Sequence, residues 1–217
     1  MTAAISWLPS GTVYGTLLNF RREFEVWAPR MGEPPYKAPP RAPVLYVKTA
    51  NTFAPCGAAI AVPEAAEVGA TLGLVIGEAE GARGAGGHAL VLLNDLSLPH
   101  ESYYRPALRF RNRDGFLVCG PAIRRMTDVG DLEQLVLDVS VNGLHVQRVE
   151  LATLVRDAKT LLEDVSEFMT LRPGDVLMLG TDCLEGGLRP RVQAGDRIEI
   201  AAPGFAPLTH TVTEETV

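Results

Sequence analysis

The sequence predicts a mainly β protein of the α+β class with one long helix. Short apolar runs closed by Gly or Pro recur along the 217 residues, and the 21 Gly and 16 Pro favour many turns over long helices. An Asn-Gly pair lies between two alternating runs, and only residues 151–168 carry apolar side chains at sustained helical spacing. Strand and helix patterns do not alternate regularly, which excludes a doubly wound fold.

The first half of the chain contains four strand patterns and one short helix pattern. Strands are predicted at 11–18, 44–48, 68–77 and 88–93, and a short helix at 21–31. The Gly-rich segment 81–87 lacks the Lys-Ser/Thr of a phosphate loop and is interpreted as a surface turn. The strand at 88–93 ends at Asn94-Asp95, so we expect Asp95 at a strand edge, where polar groups often face a cleft.

The second half of the chain begins with a hairpin pattern. Apolar residues alternate along 135–141, and Asn142-Gly143 follows, which favours a type I′ turn with two positive φ angles. The helix predicted at 151–168 stops before Pro173-Gly174. Later strands are predicted at 176–180, 197–201 and 208–213.

The composition limits the classes of partner. A net charge of −6 argues against nucleic acid or an anionic membrane. No apolar run approaches the roughly 18 residues of a membrane span, and the N-terminus lacks the features of a signal peptide, so we expect a cytoplasmic protein. Three widely spaced Cys indicate reduced thiols. Without a repeat or linker, residues 1–217 are predicted to form a single domain, with 1–11 as a loose N-terminal arm.

Three motifs resemble those of the fumarylacetoacetate hydrolase superfamily. They are Tyr-Val-Lys-Thr-Ala-Asn-Thr at 46–52, the run ending in Val-Ile-Gly at 67–77, and the segment 94–106 that begins with Asn-Asp. In that family a Glu-x-Glu pair before Leu-x-x-Val-Ile-Gly binds a divalent cation together with the Asp of the Asn-Asp motif. The shared Val-Ile-Gly places Gly69 and Thr71 at the two Glu positions, while Asp95 remains.

Two further motifs resemble one type of enzyme within this superfamily. Pro-Tyr-Lys-Ala-Pro-Pro at 35–40 and Arg-Asp-Gly-Phe at 113–116 are similar to the bifunctional isomerase/decarboxylases of homoprotocatechuate (4-hydroxyphenylacetate) degradation. In these enzymes two related halves are often fused, and the N-terminal half also carries Gly-Ala-Thr in place of Glu-x-Glu. The resemblance extends from about residue 12 to residue 214 and implies the family's mixed β-roll.

The resemblance implies a divalent metal, Mg²⁺ or Mn²⁺, but the ligand set is reduced. Gly69 offers no side chain and Thr71 only a neutral hydroxyl, whereas Mg²⁺ prefers several oxygen ligands that include carboxylates. On a continuous strand Glu67 would lie on the same face, about 6 to 7 Å further out. We therefore expect metal binding by this chain to be weak or absent, with Asp95 as the remaining ligand of a degenerate site. Asp95 as a hydrogen-bonded loop cap is the favoured alternative.

The resemblance also implies catalytic candidates. Glu23 stands where active relatives often have His, and Lys48 matches the family's strand Lys. A buried Glu can act as a general base. The favoured alternative for Glu23 is a solvated, charged helix face.

Cationic residues are candidates for binding the substrate. The resemblance implies small 2-oxo acids with two or three carboxylates, which Arg binds in bidentate fashion. The candidates are Lys48, Arg105 and Arg111, the last at a position where relatives usually have Lys, with Arg109 and Arg113 close by. Thr181, in Gly-Thr-Asp where the family has Gly-Thr-Pro, could bind a carboxylate. A salt-bridged surface is the alternative for the Arg cluster.

Three functions follow from the resemblance. The leading hypothesis is a subunit of an isomerase/decarboxylase that decarboxylates 5-oxopent-3-ene-1,2,5-tricarboxylate and isomerises 2-hydroxyhepta-2,4-dienedioate. Its partner would be a homologous metal-bearing subunit or a second copy of the chain. The second hypothesis is a catalytically silent structural or ligand-binding subunit. The third, an acylpyruvate-type hydrolase, is weakened most by the missing Glu pair.

Overall fold

The computed structural model describes residues 6–77, 88–100, 102 and 107–216. The strands of the described residues are β1 Val13–Leu17, β2 Val44–Lys48, β3 Phe53–Ala54, β4 Ala59–Val62, β5 Ala65–Glu67, β6 Ala70–Val75, β7 Ala89–Asp95, β8 Leu117–Cys119, β9 Arg124–Arg125, β10 Val136–Val141, β11 Leu144–Glu150, β12 Val176–Met178, β13 Arg191–Gln193, β14 Arg197–Ala201 and β15 Leu208–Glu214. The α-helices are α1 Arg21–Trp27, α2 Leu108–Arg111 and α3 Ala158–Ser166. Short 3-10 helices span Ala28–Gly32, Ala50–Thr52, Met126–Asp128, Leu132–Gln134, Leu151–Thr153 and Glu185–Gly187.

Two mixed sheets enclose the main core. The larger has the order β2-β1-β12-β6-β7-β8-β3, with β9 also paired to β7, and the smaller has the order β11-β10-β14-β15-β4. A third, two-stranded sheet joins β13 to β5. Leu72 and Leu92 of the larger sheet pack in one cluster with Leu137 and Ile198 of the smaller. Each such buried side chain contributes roughly 1.5 to 3 kcal/mol.

The opposite face of the larger sheet carries a second apolar cluster. Side chains alternate along a strand, so Val91 and Leu93 of β7 face away from Leu92. Tyr46 of β2 packs at the edge of this second cluster. This face holds the candidate site described below.

The α+β, strand-rich prediction is confirmed, and so is the hairpin. β10 and β11 pair in antiparallel fashion on either side of Asn142-Gly143. Asn142 has a φ of 52° and Gly143 a φ of 79°, as a type I′ turn requires.

The prediction of one helix across 151–168 is wrong in its extent. A 3-10 turn comes first, and α3 begins only at Ala158. The Asp157 side chain accepts a hydrogen bond from Thr160 N at 2.7 Å and caps the helix there. Upstream, Val155 N donates to Asn19 O at 2.8 Å, which directs that backbone toward β1 instead of a helical turn.

The strand predicted at 68–77 is present but shorter, over residues 70–75. β5 ends at Glu67 and β6 begins at Ala70. Between them Val68 N donates to Pro190 O at 2.8 Å, and Glu67 N donates to Ser97 O at 2.7 Å. Glu67 therefore belongs to the two-stranded sheet and does not extend the strand that would carry the metal ligands.

Two further predicted segments are the helix at 21–31 and the Gly-rich turn at 81–87. The helix predicted at 21–31 is α1 followed by a 3-10 segment that contains Pro29, which lacks the amide donor a continuous α-helix needs. The Gly-rich segment 81–87 lies outside the described residues. Of the helices in the described ranges, none has the length and apolar character to cross a membrane.

Candidate active site: a buried ion-pair cluster and a cationic cleft

Asp95 ends β7 and is the centre of a buried ion-pair cluster. Its backbone N donates to Gly69 O at 2.9 Å, which fixes the end of the strand. The Lys48 ammonium lies 2.9 Å from Asp95 Oδ1, and Arg111 Nη1 lies 2.7 Å from Oδ2. The Tyr46 hydroxyl donates to Oδ2 as well. Both carboxylate oxygens are thus engaged, and the side chain is fully buried.

The protonation states of this cluster follow from burial and charge. Burial alone raises the pKa of Asp95, but the charges of Lys48 and Arg111 outweigh it and hold the pKa below its usual range. Burial lowers the pKa of Lys48, and attraction to Asp95 offsets part of that shift. Burial and the Asp95 charge raise the pKa of Tyr46 well above its ordinary value. The tyrosine therefore remains a neutral donor at physiological pH.

Lys48 and Arg111 are also held by contacts other than Asp95. The Lys48 ammonium donates to Arg111 O and, at 3.0 Å, to Phe116 O, so it ties β2 to α2 and to the start of β8. The Arg111 guanidinium lies over the Tyr46 ring, 4.9 Å from its centroid. Lys48 is completely buried, so it acts as a buried counter-charge that holds Asp95.

A glycine on the neighbouring strand makes room for this arrangement. A Cβ at Gly15 would overlap the Tyr46 ring. Because the position is Gly, the ring can lie directly over β1 and reach Asp95.

The residues at this place do not fit a divalent cation. Ala70 pairs with Asn94, so Gly69 lies opposite Asp95, but it has no side chain. Thr71 is buried on the same strand and offers only a hydroxyl. Glu67 lies in another sheet, 3.8 Å from Arg191. In the described part of the chain, His, Cys, Asp and Glu form no group of three that could hold a metal, and two side-chain cations already neutralise Asp95.

A second ion pair contains Glu23 and an arginine that the sequence analysis missed. Glu23 is buried and pairs through Oε1 with Arg189 Nη2. Its Oε2 accepts from Leu18 N at 2.9 Å, and Leu18 has a positive φ of 59°, an uncommon backbone state that often marks a functional site. Arg189 Nη2 also donates to Thr181 Oγ1 at 2.9 Å. The interpretation of Glu23 as a solvated helix face is therefore wrong, because its side chain faces this buried arginine.

Arg189 escaped the sequence analysis because it lies far along the chain from the family motifs. It precedes Pro190 and β13, 166 residues after Glu23. No motif of the family resemblance includes residue 189. The one local signal was Glu23 itself, since a buried carboxylate requires a counter-charge.

Arg189 lines a cleft of about 530 Å³. The polar and aromatic side chains that line it include Trp27, Arg30, Glu67, His100, Arg189 and Arg191. His100 Nδ1 lies 3.0 Å from Leu98 O, and its ring stacks on Phe110 with the centroids 5.2 Å apart. Burial lowers the pKa of His100, which favours the neutral imidazole. The fixed positive charge at the cleft therefore comes from arginines.

The other predicted cations are separate from this cleft or lie outside the described residues. Arg113 pairs with Glu215 through Oε1 at 2.5 Å and Oε2 at 2.6 Å, which makes it part of a surface salt bridge. Arg109 is exposed on α2. Arg105 is outside the described residues.

Comparisons with known proteins agree with the fold and the motifs. The family model for the fumarylacetoacetate (FAA) hydrolase C-terminal domain matches residues 12–213. The 4-hydroxyphenylacetate degradation bifunctional isomerase/decarboxylase of Escherichia coli is 37% identical over 94% of this chain and 48% of its own length. A protein of the same name from Salmonella dublin is 36% identical with the same coverage. The chain thus spans about half the length of these curated relatives.

Solved structures of this family share the fold of the chain. The 5-carboxymethyl-2-hydroxymuconate delta-isomerase of Mycobacterium smegmatis superposes with a TM-score of 0.73 at 25% identity, over 97% of this chain and 79% of that one. The fumarylpyruvate hydrolase of Pseudomonas aeruginosa, solved with Mn²⁺ and pyruvate, shares the fold with a TM-score of 0.75 at 22% identity, over 99% and 94% of the two chains. The chain therefore belongs to the fumarylacetoacetate hydrolase family.

Proposed function

We propose that this chain is one subunit of an isomerase/decarboxylase that acts on small 2-oxo dicarboxylic acids. The observation that carries the proposal is the match of nearly the whole chain to only half of the E. coli bifunctional isomerase/decarboxylase. A protein equivalent to one half of such an enzyme needs the other half, as a homologous subunit or as a second copy of itself. We place the assembly in the cytoplasm.

In this proposal the two subunits divide the chemistry between them. The metal-dependent step belongs to a partner with an intact Glu-x-Glu pair, because Asp95 of this chain is neutralised by Lys48 and Arg111. This chain contributes positive charge at its cleft, where Arg189 is held by Glu23 and Thr181. We assign Glu23 to the orientation of Arg189.

Lys48 and Arg111 belong to the ion-pair cluster around Asp95. Lys48 positions Asp95, which in turn holds Arg111. We keep Arg111, Arg105 and Thr181 as candidates for contact with the substrate carboxylates, because guanidinium groups and hydroxyls suit such ligands.

A catalytically silent structural or ligand-binding subunit is the second candidate. The absence of side-chain ligands at Gly69 and the fully neutralised Asp95 favour it. The third candidate, an acylpyruvate-type hydrolase, receives no specific support from the described residues.

Reconstitution separates these candidates. The purified chain is assayed for decarboxylation and isomerisation alone, with a homologue that carries Glu-x-Glu, and with either Mg²⁺ or EDTA. The proposal predicts negligible turnover by the chain alone and turnover by the mixture above that of the homologue alone. Unchanged partner activity in a stable complex would favour the silent subunit, and metal-dependent hydrolysis by the chain alone would favour the hydrolase.

A further inference from the structure

The lost metal site and the buried arginine are next to each other. We propose that the Arg189 guanidinium takes the place of the divalent cation in this chain and binds the carboxylate of a small dicarboxylate in the cleft without metal. The inference deepens the proposed function and rests on it only for the class of substrate.

Thr181 lies next to both the lost ligand position at Gly69 and the Arg189 guanidinium. A Cβ built at Gly69, where relatives carry a metal-binding Glu, would lie 3.0 Å from Thr181 Cγ2. The hydroxyl of the same threonine accepts from Arg189 Nη2 at 2.9 Å. The Thr181 side chain therefore lies between the guanidinium and residue 69, the position of the lost ligand.

The guanidinium is fixed in place and borders the cleft. Glu23 and Thr181 both accept hydrogen bonds from Nη2, which restricts rotation of the planar group. The Arg189 side chain is only 7% exposed, yet it is part of the cleft lining. A small carboxylate that enters the cleft would thus meet a preorganised, largely desolvated cation, the condition under which ion pairing is strongest.

The local charge favours an anion over a cation. Among the described residues, the cations Arg30, Arg189 and Arg191 line the cleft together with one carboxylate, Glu67. The buried carboxylates Glu23 and Asp182 pair with Arg189 and Arg22, so these four cations and three carboxylates leave one net positive charge. A divalent cation would be repelled by this arrangement, whereas a carboxylate would be attracted. The opposite sign of these two effects makes the proposal testable.

Two substitutions in one ion pair are expected to act in opposite directions. Oxalate serves as the probe, and its binding is measured by calorimetry with EDTA present throughout. Arg189→Gln should weaken oxalate binding about 10- to 100-fold, because charge-assisted hydrogen bonds to the guanidinium are lost. Glu23→Gln should tighten binding severalfold, because it removes a carboxylate charge that competes for Arg189, while Thr181 still accepts from Nη2 and the amide oxygen can still accept from Leu18 N.

Matched controls exclude unfolding and general electrostatics. Arg191→Gln removes a more exposed arginine from the same cleft and should change affinity less than about threefold, as expected for a solvent-screened charge. The charge-neutral double variant Glu23→Gln/Arg189→Gln avoids an unpaired buried charge, so it should fold. Its affinity for oxalate should be as weak as that of the Arg189→Gln variant.

Three results would overturn the proposal. They are oxalate binding that appears only when Mg²⁺ replaces EDTA, parallel losses in the Glu23 and Arg189 variants, and equal losses in the Arg189 and Arg191 variants. Tight, EDTA-resistant binding with no turnover in any reconstituted mixture would preserve this inference while the proposed function fails.

Discussion

At the scale of single residues, Asp95 shows how a retained motif residue can change its role. The resemblance assigns it to a metal-ligand position, whereas in the structure its oxygens bind Lys48 and Arg111. Removing one member of a buried ion pair leaves the other members uncompensated. The carboxylate is therefore a stability determinant of this chain.

Substitution of Asp95 measures that role. Asp95→Asn should reduce the free energy of unfolding by about 3 to 5 kcal/mol, because two buried cations lose their counter-charge. Urea denaturation of the parent and the variant gives the value. A loss below about 1 kcal/mol, the level of a surface ion pair, would contradict the buried-cluster account.

His210 predicts a pH dependence of stability. Asn94 Nδ2 lies 2.8 Å from His210 Nε2 and donates to it when the ring is neutral, and Asn94 Oδ1 accepts from Gly69 N at 3.0 Å. Burial lowers the pKa of His210 to about 4. In the unfolded chain the pKa returns to about 6.5, so between these values the unfolded state binds more protons and stability falls as the pH drops.

Denaturation at several pH values checks this effect. Stability should decline by up to roughly 3 kcal/mol between about pH 6.5 and pH 4, and His210→Gln should flatten the curve in that window. Asp95 has a lowered pKa in the folded state, so its contribution is lost at lower pH, below its unfolded value near 3.9. An identical pH profile for the parent and the His210 variant would contradict the assignment.

At the scale of elements, the sequence predicted the features that depend on the backbone preferences of neighbouring residues. The Asn142-Gly143 turn was predictable because both positive φ angles are residue preferences. The start of α3 was missed because the apolar spacing of 151–168 outweighed the local N-cap signal of Asp157, and the distant Asn19 O binds the segment before it. The late start of β6 was missed because the distant Pro190 O binds Val68 N, and the apolar pattern of 68–77 gives no sign of that contact.

The residues of the candidate site also fall into a group that the motifs predicted and a pair that they did not. Asp95, Lys48 and Arg111 were found through motifs, and the structure brings them together. The Glu23–Arg189 pair joins residues 166 positions apart, and no periodicity encodes it.

The packing of β1 against β2 gives a prediction for an element. Gly15→Ala should cost about 1 to 3 kcal/mol of stability, because the added methyl displaces the Tyr46 ring from Asp95. In a Tyr46→Leu background the same change should cost much less, and a double-mutant cycle measures the coupling. Additive losses would place the cost of the Gly15 change elsewhere.

At the scale of the whole molecule, the chain spans about half the length of the bifunctional isomerase/decarboxylases that it matches. Related halves commonly pair about a pseudo-twofold axis. We predict that the chain self-associates or pairs with a Glu-x-Glu homologue at micromolar concentration, and light scattering of each protein and of the mixture tests this. A monomer that persists in the presence of the homologue would contradict the paired arrangement.

We predict that side-chain cations, and not a divalent metal, supply the positive charge at the site of this chain. Electron paramagnetic resonance of free Mn²⁺ measures this, because bound Mn²⁺ no longer contributes to the signal of the free ion. An equimolar mixture of the chain and Mn²⁺ at micromolar concentration should keep the full free-ion signal, while a Glu-x-Glu homologue should reduce it. A stoichiometric loss of the signal with this chain would contradict the account.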